Sequence, residues 1–327
     1  MPTIEPVRSV TLAEIREAHR RIASTIIRTP LVRLDLGPEF PDVRLKLENL
    51  QPINSYKLRG AANAVAMLSP AERSRGVWTI SAGNAGQGVA HAAREAGVSC
   101  TVVAIETAPA SKLERMRALG AKLVLVSYDV AWQTLEARAY AGVEGTFIHP
   151  FDDHAFIAGH GTMGLEILEQ APDVAAVVAS IGGGGLVVGV GSALKALKPG
   201  TRVFGAEPET AAPLALSLAT GSPQAFVDWK ASFVDGAGGK SVFPRMWERM
   251  RAVVDGSIVA SLDDTKRAMR LLAEKARVIA EGAGALAVAA AVSGKAGPGP
   301  VVAIVSGGNI DLSKFCELVG QAVAARS

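Results

Sequence analysis

The feature that most constrains this chain is a run of short segments that are nearly all apolar and rich in β-branched residues. They are "GVWTIS" (76–81), "CTVVAI" (100–105), "KLVLVS" (122–127), "TFIHP" (146–150), "VAAVVAS" (174–180), "RVFGAE" (202–207) and "PVVAIVS" (300–306). Stretches of helical character separate them. A strand that is apolar on successive residues is buried on both faces, which is the pattern of parallel strands covered by helices. The expected fold class is α/β, with doubly wound, mostly parallel sheets. In such folds ligands sit beyond the carboxyl ends of the strands. Upstream, "TLAE" opens a helix expected over Thr11 to Ile26, with Thr11 capping and Glu14 reaching back. "VRLKLEN" (43–49) alternates and places Val43, Leu45 and Leu47 on one face of a strand. The stretch 221–260 is the least regular and could cover a site or an interface between copies.

A length of 327 residues suggests two domains, and 49% hydrophobic against 20% charged residues supplies a large core. Aromatic residues are too few, at 5%, for a binder built on aromatic platforms. Net charge is +3 and the arginines are scattered. "RSR" (73–75) and the arginines of 245–251 read as solvated faces, so no nucleic-acid partner is expected. Cys100 falls in a strand and Cys316 in the last helix, without metal-ligand spacing. A reducing, cytoplasmic setting follows as the default. No signal pattern or bilayer-length apolar run is present, so no membrane partner is expected.

Three strand ends carry candidate chemistry. "SIGGGGLVVGVG" (180–191) places four glycines, Gly182 to Gly185, between a strand and a helix. Such a turn exposes backbone N–H groups where the helix dipole favours an anion. The dinucleotide fingerprint fails at Val187, Val188 or Leu186, whichever glycine starts it, and no Gly-Lys-Ser/Thr follows. A small phosphorylated cofactor fits better than a nucleotide. "ISAGNAGQGVA" (80–90) offers Ser81, Asn84 and further N–H groups as a carboxylate cradle; a capped turn is the alternative. "IVSGGNID" (304–311) ends a strand with Ser306, whose hydroxyl could meet a ring nitrogen; a plain glycine turn is the alternative. Lys57, in "NSYKLRG" (54–60), stands at the expected start of a helix. A phosphate site, a carboxylate cradle, a neutral hydroxyl and a lysine together suit pyridoxal 5'-phosphate and an amino-acid substrate.

With these motifs in place, the sequence resembles the fold-type II pyridoxal-phosphate enzymes, and among them the threonine/serine dehydratases and serine racemases, over nearly its whole length. "LENLQPINSYKLRGA" resembles the cofactor-lysine segment, "SAGNAGQG" the substrate-carboxylate loop, "GGGGL" the phosphate cup and "SGGN" the ring-nitrogen turn. "HPFDD", "GTMGLEI" and "EGAGA" match further stretches. The resemblance implies a tryptophan synthase β-like fold in two domains, residues 1–54 with 154–327 and residues 55–153. It implies that Lys57 is catalytic and carries the cofactor. Tyr56, Asn84, Gly182, Gly183, Gly184, Gly185, Leu186, Gly236 and Ser306 are implied to surround the cofactor. Ser81, Ala82, Gly83, Asn84, Ala85 and His160 are implied to meet the substrate. The implied reaction is elimination of a β-hydroxyl followed by loss of ammonia to a 2-keto acid. A homodimer is the expected assembly.

Departures from the family pattern sharpen the expectation. Ala82 stands where racemases carry a proton-donating serine, so racemisation is not expected. Ala85 replaces the usual histidine, and His160 the usual glutamine; a structural, hydrogen-bond-satisfied His160 is the expectation. These changes open the substrate to a bulkier β-hydroxy amino acid such as L-threo-phenylserine, or to a specialised one such as hydroxyaspartate or a hydroxyectoine-derived amino acid. A β-replacement synthase is the alternative on the same fold, against which the turn reads Asn-Ala-Gly rather than Asn-Thr-Gly. Glu207 and Ala211 fit a divalent-cation site of some members, but Pro213 takes the place of its aspartate, which leaves the cation open. About one helix follows "SGGNID", so a regulatory domain is not expected and a catabolic role is.

Overall fold

A computed structural model describes residues 6–324. Two sheets form the frame. The larger has six strands in the order β1-β2-β10-β7-β8-β9: β1 Leu31–Leu34, β2 Val43–Lys46, β7 Ala176–Ser180, β8 Arg202–Pro208, β9 Gly256–Ala260 and β10 Val301–Ile304. Only β1 runs antiparallel, to β2. The smaller sheet is wholly parallel in the order β5-β4-β3-β6: β3 Val77–Ile80, β4 Cys100–Ile105, β5 Lys122–Val126 and β6 Thr146–Phe147. The larger sheet therefore draws on both chain ends and the smaller on residues 77–147 alone.

The apolar runs are buried on both faces. Ala176 and Val178 of β7 join one core and Val177 with Ala179 the other. In β10, Val301 and Ala303 join the first core, and Val302 and Ile304 the second. The helix Gly282–Val292, almost entirely small and apolar, covers the first face. The helices His154–Gln170 and Gly185–Leu197 lie with the second core. They approach each other closely because glycine faces glycine: a Cβ at Gly189 would lie 2.5 Å from the Ile157 carbonyl.

Strand order reverses direction at two places. In the small sheet β3 has β4 on one side and β6 on the other; in the large sheet β7 stands between β8 and β10. Crevices at such reversals are where open α/β sheets bind ligands. The three turns singled out by sequence follow β3, β7 and β10.

Several expectations shift. The first helix is Leu12–Ile22, four residues shorter at its end than expected, and its capping box forms as expected. "VRLKLEN" leaves the sheet at Lys46 and continues as a 3₁₀ turn, although Leu47 stays in the same core as Val43 and Leu45. "TFIHP" pairs only through Thr146 and Phe147. Strands β1 and β9 were not anticipated. Arg249, expected in solvent, is buried: it donates to the Arg8 carbonyl at 2.6 Å and lies against Asp152, which also binds Arg245.

Candidate active site

Lys57 opens the helix Lys57–Ala66. This helix packs between Asn84–Glu95, which covers the small sheet, and His154–Gln170, which lies with the second core of the large one. Its place is fixed from two sides. Arg59, fully buried, binds Glu48 through Nε at 2.7 Å and Glu166 through Nη1 at 2.7 Å, and Lys46 completes the network on Glu166 at 2.5 Å. Ahead of the lysine, the Tyr56 N–H donates to the Ser306 carbonyl and Ser55 pairs with Gly307 as an isolated bridge. The lysine segment is thereby stitched to the end of β10.

The Lys57 Nζ donates to the Pro150 carbonyl at 2.6 Å and lies 5.3 Å from the Tyr56 ring centroid and 5.4 Å from that of Phe156. Protein packed around the ammonium strips its water and pulls its pKa down to about 7.

After β3, the turn 81–83 leads into the helix Asn84–Glu95. Its N-cap, Gly83, has no side chain to cap with, so first-turn N–H groups are left for a ligand. The Ser81 hydroxyl accepts from the Gly83 N–H at 3.1 Å. Asn84 is held on both sides: its Nδ2 donates to Glu281 Oε1 at 2.6 Å, and its Oδ1 accepts from Asn309 at 2.7 Å. Glu281 is buried beside Asp235, and burial followed by that neighbouring charge pushes its pKa up to about 7.

After β7, Gly184 takes φ +87°, a conformation that L side chains rarely adopt, and caps the helix Gly185–Leu197 without a side chain. A Cβ at Gly183 would lie 2.1 Å from the Phe151 ring, and one at Gly182 would lie 2.9 Å from the Gly236 carbonyl. Side chains at these two positions would run into the Phe151 ring and the Gly236 backbone, both on the cavity wall. Ser306 is buried, with its Oγ 3.3 Å from the Ala283 carbonyl.

These elements enclose a cavity of about 370 Å³. Of the residues anticipated from sequence, Tyr56, Lys57, Ser81, Ala82, Gly83, Asn84, Ala85, Gly183, Gly236 and Ser306 line it. Gly182, Gly184, Gly185 and Leu186 shape the turn behind its wall, with Leu186 in the second core. His160 is not on the wall. It is fully buried behind Tyr56, 4.7 Å between ring centroids, and neither ring nitrogen has a hydrogen-bond partner, contrary to the expected satisfied histidine. Burial first, then the charges of Lys57 and Arg59, hold its pKa well below the usual value, so the ring is neutral. The Glu207 carboxylate accepts from the backbone of Leu214 and Ala215, at the start of the helix Pro213–Thr220, and from Ser257. Among the described residues no cluster of metal-ligating side chains occurs. Sequence reading missed Lys112, Asp235 and the Glu281 carboxylate, which also line the cavity. Only Glu281 had a local signal, in "EGAGA".

The cavity suits pyridoxal phosphate: an amine faces it, a cup free of Cβ atoms ends at an uncapped helix N-terminus, and a neutral hydroxyl stands opposite. A family model described as pyridoxal-phosphate dependent enzyme matches residues 22–307. The chain is 39% identical to the L-threonine ammonia-lyase of Thermotoga maritima, covering 95% of this chain and 79% of that protein. It is 36% identical to a catabolic L-threonine dehydratase of Staphylococcus aureus, covering 97% of this chain and 94% of that one. The structure of maize serine racemase superposes with a TM-score of 0.85 at 31% identity, covering 98% and 99% of the two chains. The chain therefore belongs to the pyridoxal-phosphate-dependent enzymes. Within that family it is a fold-type II enzyme of the threonine/serine dehydratase group, an ammonia-lyase. Among the described residues no helix is long and apolar enough to cross a membrane.

Proposed function

We propose that this enzyme eliminates the β-hydroxyl of an L-amino acid through Lys57, giving a 2-keto acid and ammonia. The observation that carries this reading is a lysine amine, drawn down in pKa, facing a cavity framed by the glycine cup and the 81–84 turn. Relatives named for L-threonine point the same way. Pyridoxal phosphate, when bound, supplies the carbonyl that takes the substrate's amino group and a conjugated ring that draws electrons from Cα. Lys57 would anchor it, Gly182–Gly185 its phosphate, Ser306 its ring nitrogen and Asn84 its phenolic oxygen.

The chain's own groups then have defined tasks. The 81–84 turn holds the substrate carboxylate and so orients Cα toward Lys57. The Lys57 amine, with its pKa near 7, takes the α-proton at neutral pH. The electron pair left on Cα forms the Cα–Cβ double bond as the Cβ–O bond breaks, and the hydroxyl leaves with a proton as water. Hydrolysis of the resulting enamine consumes one water and yields 2-keto acid and ammonia. Ser306 would offer the ring nitrogen a neutral hydroxyl, where a carboxylate would keep that nitrogen protonated and draw charge from Cα into the ring; the weaker sink favours prompt expulsion of the β-group. Ala82 offers no proton to the opposite face, so elimination outruns racemisation.

The finer reading is a β-substituent larger than methyl. Ala82, Ala85 and Ala108 leave the cavity wall low, and Ile105 and Pro109 make it apolar. The test is 2-keto acid release from L-serine, L-threonine, L-threo-phenylserine and 3-hydroxyaspartate. Phenylserine should lead. A lead by threonine and serine refutes the bulky preference, and no release from any of them refutes the elimination itself. The proposal includes a homodimer, checked by light scattering, and 55–153 as a unit that closes over the substrate. Unchanged small-angle scattering on inhibitor binding would count against closure.

A further inference from the structure

The cavity's charged lining is sparse. Lys57, Lys112, Asp235 and Glu281 are its ionisable acids and bases apart from Tyr56. If the function proposed above holds, Lys57 is committed to the cofactor, and a substrate carboxylate must enter past two acids. Lys112 is then the remaining cation on the wall, and a carboxylate taken out of water needs a charged or hydrogen-bonding partner.

Lys112 lies on the helix Ala110–Ala118, which follows β4 of the small sheet. Its Nζ donates to Asp235 Oδ2 at 2.5 Å across the cleft, from a loop between β8 and β9 of the large sheet. The two ends of this pair differ. The Lys112 side chain is 17% exposed and that of Asp235 is 54% exposed. Water can take over Asp235 readily, so the pair is easily exchanged. Lys112 also overlooks the substrate turn: a Cβ built on Gly83 would find its Nζ and Cδ at 3.9 Å and no other neighbour within 4 Å.

We propose that Lys112 receives the substrate carboxylate over the Gly83 turn, and that the Lys112–Asp235 pair is the resting state this carboxylate displaces. Lys112 is thus a binding residue that selects for a carboxylate, and Asp235 is its competitor. Burial works against the lysine's charge, but the fields of Asp235, Glu281 and Asp311 more than offset it and keep the ammonium protonated.

The experiment titrates the cofactor-loaded enzyme with propionate, a carboxylate without an amino group, by calorimetry. Lys112→Met should bind propionate roughly tenfold more weakly and Lys112→Arg should recover most of that. Asp235→Asn should bind it several-fold more tightly. The double variant decides whether the gain acts through Lys112: the Asp235→Asn gain should vanish once Lys112 is methionine. A gain that persists in the double variant means a general field effect and overturns the proposal, as does unaltered affinity in Lys112→Met. Melting curves and cofactor absorbance confirm that each variant is folded and loaded. Propionate binding does not depend on turnover, so failure of the elimination reading would show separately, as a wild type that binds propionate but releases no keto acid. With the best substrate, Lys112→Met should raise KM more than it lowers kcat.

Discussion

Substituting Arg59 by leucine tests how the segment that carries Lys57 is held. Arg59 is completely buried and bridges Glu48 and Glu166, themselves buried, through four hydrogen bonds of 2.7–2.8 Å. Leucine fills part of the volume but leaves Lys46 as the remaining cation of the network, with Thr29 and Gln51 still donating to Glu48. Breaking a buried ion network by removing one partner costs about 3–5 kcal/mol. For a chain of 327 residues, an unfolding entropy of about 2.1 cal/mol/K per residue converts this to a Tm lower by roughly 4–7 °C. The loss should grow with pH. In the wild type burial raises the Glu48 pKa, but the Arg59 charge outweighs it and holds the group below its usual value. Without Arg59 burial dominates and the folded pKa rises above the unfolded one. The penalty is then small in strong acid, where Glu48 is protonated in both states of both proteins; it builds from the wild type's lowered Glu48 pKa upward and goes on increasing above about pH 4.5. Calorimetric melts of Arg59→Leu at pH 5 and pH 8 measure this, and adding Glu48→Gln should return about half the loss at pH 8. A Tm change below about 1 °C, or one equal at both pH values, would refute the reasoning.

Two further outcomes follow from the site. Gly183→Ala puts a methyl where the Phe151 ring already lies 2.1 Å away, so cofactor affinity should fall at least roughly tenfold; equilibrium titration of the apoenzyme with pyridoxal phosphate reads it. Glu281 has its folded pKa raised to about 7, so wild-type stability should decline between about pH 4.5 and 7 as the unfolded chain ionises first. Glu281→Gln should lack that decline while keeping an acceptor for Asn84, and parallel melting profiles of the two proteins across that range would contradict it.

Much of the large-scale layout was legible from sequence because buried parallel strands announce themselves. Strand β4 is Cys100–Ile105, as its apolar run indicated. The strands that escaped notice are edges. In β1 only Leu34 is buried, and β9 exposes Val259 and begins at Gly256, so neither carries an apolar run. The site divides in the same way. Glycine turns at strand ends are local chemistry, and the three of them do meet around Lys57. Lys112 and Asp235 could not be found this way, because 123 positions separate them and the cleft pairs them. Arg249 and His160 were read as exposed and as satisfied because sequence does not reveal which helix face turns inward or what faces a buried ring.

The stitch between the lysine segment and β10 bears on how the protein is made. Among the described strands β10 comes latest in the chain, yet it sits between β2 and β7 in the interior of its sheet. Until it arrives, β2 and β7 each present a bare edge, and unpaired edges invite association with other chains. The serine opposite the lysine and the backbone carbonyl that fixes Tyr56 arrive with it, since both belong to Ser306. A nascent chain therefore cannot complete this pocket before β10 inserts.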